Sequence, residues 1–97
     1  MSRNDLNTFL NNHRTSINES IYNGIEDKES LNSRLVTIEN IIHDISSLND
    51  NEVLNYLSHN VENSVDNLVE EYEIQERPTI SLSIAHVFTK ALVSFLK

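Results

Sequence analysis

Two carboxylate–imidazole pairs are the parts of this chain best placed to do chemistry. Glu39 and His43 stand four residues apart, and His59 and Glu62 three apart, so on helices each pair would share a face. Such pairs on two neighbouring helices of a bundle supply the donor set of a metal centre built from carboxylate and imidazole, which would make the chain a metal-dependent enzyme or sensor. The pattern is generic, however. No HExxH or ExxH motif is present, and a Glu beside a His on a helix surface is an ordinary pairing. His13 falls among apolar residues and reads as a hydrogen-bonded core histidine rather than a ligand. With one Gly and no Cys, the chain has no glycine-rich phosphate loop, no nucleophile elbow and no thiolate site. Its Ser and Thr residues are tied by no spacing to a His and an acid. The expectation is a non-enzymatic protein with no cofactor and no metal.

Charge gives the stronger signal. All fifteen Asp and Glu residues lie between Asp5 and Glu76, and between Leu35 and Glu76 ten acids stand with no Lys or Arg. On the third of the helices predicted below, His59, Glu62, Asp66, Glu70 and Glu73 recur at steps of three and four, which forms an acidic ridge. A ridge of this kind keeps a small protein soluble. Yet an exposed helix usually interleaves signs, and like charges four apart cost a few tenths of a kcal/mol each. A basic partner surface explains the missing cations, because it is steered onto the ridge and relieves the repulsion on contact. Glu62, Asp66, Glu70 and Glu73 are therefore the expected partner-binding residues.

The same ridge suggests a nucleic-acid mimic that blocks a DNA-binding protein or nuclease, as mobile elements employ. Carboxylates once per helical turn stand about 5.4 Å apart, wider than the roughly 3.4 Å axial repeat of phosphates on one strand. A second ridge would be needed. Direct nucleic-acid binding is not expected, since the net charge is −8 and Arg77, His86, Lys90 and Lys97 offer too small a cationic footprint.

The elements that carry these residues are helices. A single Gly and a single Pro cannot supply the turns of a hairpin-rich β fold. Leu6, Phe9, Leu10, His13, Ile17 and Ile21 set the apolar face of a first helix that stops at Gly24. Leu31, Leu35, Ile38, Ile42 and Ile45 set a second, capped by Asp27 or Ser30. Leu54, Leu57, Val61, Val65, Leu68 and Tyr72 form one stripe on the third, whose start is marked by Asn49 three residues before Glu52, a variant of the capping box. The fourth has Pro78 in its first turn. Ile80 to Ile84 alternates like a strand but has no second strand to pair with. The predicted helices span about 3–23, 30–47, 50–74 and 79–96, within a single acidic domain over residues 1–97.

The fourth helix is apolar over most of its circumference, with His86, Lys90, Lys97, Ser83 and Ser94 confined to one arc. Phe88 and Phe95 are expected inside. Leu82, Val93 and Leu96, at the far edge of the apolar arc, are the expected self-association residues, unless the other three helices surround this one as a central core element. The stretch is too short and polar to cross a membrane, and the N-terminal residues lack the apolar region of a signal peptide.

Together these features predict an all-α, compact up-down or irregular bundle of about four helices, oligomeric and cytoplasmic. It would act as an interaction module that sequesters or regulates a protein with a basic surface.

Overall fold

A computed structural model describes residues 1–24, 27–74, 76 and 78–97; Arg77 lies outside them. Four helices follow one another: α1 Arg3–Asn23, α2 Lys28–Ile45, α3 Asp50–Tyr72 and α4 Thr79–Phe95. Among the described residues there is no strand, and Ile80–Ile84 is helical.

Local chemistry sets the ends. Ser2 caps α1 by accepting from the Asp5 amide, and Gly24 closes it in the left-handed conformation at φ 65°, its amide donating back to Ile21 and Ser20. Asp27 accepts from the Glu29 amide to start α2. Asn49 and Glu52 form a reciprocal capping box at α3, with bonds of 2.9 and 3.1 Å. Pro78 stands one position earlier than expected. It precedes Thr79 as the cap residue of α4, and no side chain caps that helix.

α4 packs against each of the other three helices, and α1 packs against α2. The shortest dimension of the molecule is 20 Å, about two helix diameters, so the arrangement is an irregular two-layer bundle built around α4. Leu6, Leu10, Ile17, Ile38, Ile41 and Leu57 close on Val87, Phe88, Ala91 and Phe95. The Ser2 amide donates to the Phe95 carbonyl at 2.6 Å, which joins the start of α1 to the end of α4. Arg3 reaches from α1 to the carbonyls of Ile45 and Leu48, beside the end of α2, where the Ser46 hydroxyl donates to the His43 carbonyl at 2.7 Å.

Two expected faces are placed differently. On α3 the buried positions are Val53, Leu57 and Ser64, while Val65 and Tyr72 are 40% and 52% exposed. α3 leans mainly on α4, so a narrow line is covered, and the small Ser64 at that line permits close approach. On α4, Ser83 is buried, not on the polar arc. Its hydroxyl donates to the Thr79 carbonyl at 2.8 Å, which removes the penalty of burying it.

Candidate interaction surface

The carboxylates of the predicted ridge stand where the spacing places them. Glu62, Asp66, Glu70 and Glu73 are all exposed on α3 or, for Glu73, at its C-cap, and His59 is exposed above them. Among the described residues the ion pairs are Arg3–Asp50 at 4.0 Å and Arg14–Glu39 at 3.4 Å, and neither touches the ridge.

Beside the ridge runs a second stripe, whose Val65 and Tyr72 the apolar period assigns to the core. Val65, Val69 and Tyr72 are exposed, and each immediately precedes a ridge acid: Asp66, Glu70 and Glu73. The two stripes therefore lie about 100° apart around the same helix. Tyr72 in turn lines a small hollow with Pro78, Thr79 and Leu82, which links the α3 stripe to the outer face of α4. On that outer face Leu82, Val93 and Leu96 are each about half exposed. The inner face of α4 buries Phe95 fully and Phe88 almost so, as expected. Isolated exposed apolar side chains are ordinary; Val65, Val69 and Tyr72 on one stripe of α3, joined to Leu82 through that hollow, make a patch of the kind that binds protein.

The two Glu/His pairs do not come together. Glu39 accepts from Arg14 of α1, and among the described residues no group of three or more His, Asp or Glu side chains gathers in a way that could hold a metal ion. No helix among the described residues is long and apolar enough to cross a membrane.

Three features are absent from any one-dimensional pattern. The Tyr56 hydroxyl donates to Asp44 at 2.8 Å and so ties α3 to α2; burial, then that bond, pushes the phenol well above its ordinary pKa. His13 stacks on Phe9 and lies 6.2 Å from the ring of His86. Its Nε2 and the Nε of Arg34 are buried without a hydrogen-bond partner, so the hydrogen bonds expected of a core histidine are incomplete. Burial, followed by the positive charge of Arg34, lowers the pKa of both imidazoles. Third, an apolar groove of about 510 Å³ opens between α2 and α4, with Val36, Ile80, Ile84 and Phe88 among its walls. The apolar character of Val36 and Ile80 is visible in the sequence, but their meeting across two helices is not.

Compared with known protein families, curated proteins and solved structures, the chain has no match.

Proposed function

We propose that this protein is a non-enzymatic interaction module that binds a protein with a basic surface along α3 and sequesters or regulates it. The observation that carries this reading is the pairing of stripes on one helix. Carboxylates without cationic partners among the described residues run beside exposed Val65, Val69 and Tyr72. Acids alone are accounted for by solubility. An apolar stripe beside them is not, since leaving a large apolar side chain in water forfeits about 1.5–3 kcal/mol relative to burial. Apolar contact flanked by charge is the usual anatomy of a protein interface. The outer face of α4, with Leu82, Val93 and Leu96, serves self-association in this reading.

The quadruple variant E62Q/D66N/E70Q/E73Q tests it. Size is preserved and repulsion along α3 falls, so the melting temperature is expected to hold or rise slightly. Proteins from the native host retained by the immobilised wild type should be lost from the variant. Their association rate with the wild type should fall as salt rises, because charges beyond about 8–10 Å are screened at moderate ionic strength. An identical set of retained proteins, with unchanged rates, sinks the proposal. Competition with duplex DNA for one site on the partner would instead identify the ridge as an imitation of phosphates.

A further inference from the structure

The groove between α2 and α4 shares no residue with the acidic ridge, and it has its own chemistry. Ile80, Ile84 and Phe88 recur every four residues along its α4 side, and opposite them on α2 stands Val36 among the polar Asn32, Ser33, Thr37 and Asn40. The eight steps from Ile80 to Phe88 make a span about 12 Å long, close to the length over which a bound helix presents anchors at i, i+4 and i+7. At the N-terminal end of α4 the groove runs into a second hollow. Glu29 of α2 and Ile80 line both, and Glu71 of α3 lines the second. No cationic side chain among the described residues lines either hollow. The result is an apolar channel with two carboxylates at one end.

We propose that this groove receives an amphipathic helix from a partner protein, with apolar anchors on Ile80, Ile84 and Phe88 and with Lys or Arg at the end that meets Glu29 and Glu71. The groove is open along its side, where Val36 is 59% exposed. A small molecule there would keep much of its apolar surface in water, whereas binding pockets bury most of a ligand. A helix presents one apolar face and leaves its polar face solvated. A second copy of this chain is a poor occupant. The inner face of its most apolar helix, α4, is already packed on by the other three and the outer face serves self-association in the reading above, while its exposed apolar stripe on α3 is flanked by Asp66 and Glu70, which would approach Glu29 and Glu71 with like charge.

The test uses the full chain and fluorescein-labelled stapled peptides of about sixteen residues, long enough to hold a helix. All carry leucines at i, i+4 and i+7. One version has two lysines at its N-terminal end, one has them at its C-terminal end, and one has glutamates at both ends. Fluorescence anisotropy is expected to show saturable binding of one lysine peptide, with the glutamate peptide weaker by about tenfold, the combined effect of two exposed ion pairs. V36E and I80E, both at exposed positions, should abolish binding while circular dichroism stays helical. E29Q/E71Q should remove the preference for lysine over glutamate, and the quadruple ridge variant should bind like the wild type.

Several results would overturn the proposal. They are equal binding of lysine and glutamate peptides, retention of binding in folded V36E and I80E, or loss of binding in the ridge variant alone. So would conversion of a wild-type dimer to monomer by V36E, which assigns the groove to a second copy, or uptake of octanoate by the wild type but not V36E without peptide binding, which assigns it to a small apolar ligand.

Discussion

The imidazole rings of His13 and His86 lie with centroids 6.2 Å apart where α1 packs on α4, and the charges acting on them are all positive. Arg34 from α2 acts on both and Lys90 from α4 on His86, while the remaining cation on that side of α1, Arg14, is engaged with Glu39 and Asn11. Protonating either ring, the half-buried His13 or the more exposed His86, adds a positive charge to those of Arg34 and its neighbours.

Stability should therefore fall with mild acid. Both imidazoles have folded pKa values below the usual 6.5, so between the folded and unfolded values the unfolded chain binds more protons. The contribution is complete above pH 6.5 and is lost as the pH falls from there through the folded values. Urea melts at about pH 7.5 and about pH 5.5, a range in which carboxylates remain largely ionised, should show a lower midpoint at the lower pH. The double variant H13N/H86N should flatten that difference, and a wild type equally stable at both values would contradict the account.

Asn49→Ala removes one half of the capping box that starts α3. The expected loss is about 1 kcal/mol, read as a lower urea midpoint with an unchanged slope. N49D, which keeps an acceptor for the Glu52 amide, should restore most of it.

Arg3→Met keeps the aliphatic stem and deletes the guanidinium that accompanies the carbonyls of Ile45 and Leu48. The distance of 4.0 Å to Asp50 makes that pair a minor contributor, so D50N should change little. Arg3→Met is expected to cost about 1–3 kcal/mol, since two hydrogen bonds from a charged donor are lost and the Leu48 carbonyl is left without a donor, while the Ile45 carbonyl keeps the Leu48 amide.

Leu82→Glu and Val93→Glu test the outer face of α4. Both positions are half exposed, so the variants should stay folded, and sedimentation should show single chains where the wild type associates at micromolar concentration. Unfolding of these variants would mean that the two side chains contribute to the core more than their exposure implies.

Features set by near neighbours in the chain are legible in the amino-acid sequence alone. The Asn49–Glu52 box, the stop at Gly24 and the inward Phe88 and Phe95 each follow from spacing within one or two turns. So do the exposed positions of Glu62, Asp66, Glu70 and Glu73. Positions whose environment depends on how many helices lean on a given face are not legible in that way. Val65 and Tyr72 match the apolar period of α3 as well as Leu57 does, but α3 leans mainly on one neighbour and leaves them outside. Ser83 looks polar in sequence and is buried because its hydroxyl is satisfied within its own helix. The contacts of Arg3, His13, Arg34 and Tyr56 join residues on different helices, and no periodicity along one helix encodes them.

The central place of α4 bears on how the chain comes to be folded as it is made. Every other helix packs against α4, and it is the last of the four to leave the ribosome. Until Val87, Ala91 and Phe95 emerge, α1 and α2 have only each other, and α3 has its main neighbour missing. Native contacts between the first and last of these helices, such as Ser2 with Phe95, are far apart in the chain, so the part of the core that α4 supplies can close only after α4 has emerged. In that interval the acidic stretch from Leu35 to Glu76 repels other nascent chains, a safeguard against aggregation while apolar faces wait uncovered.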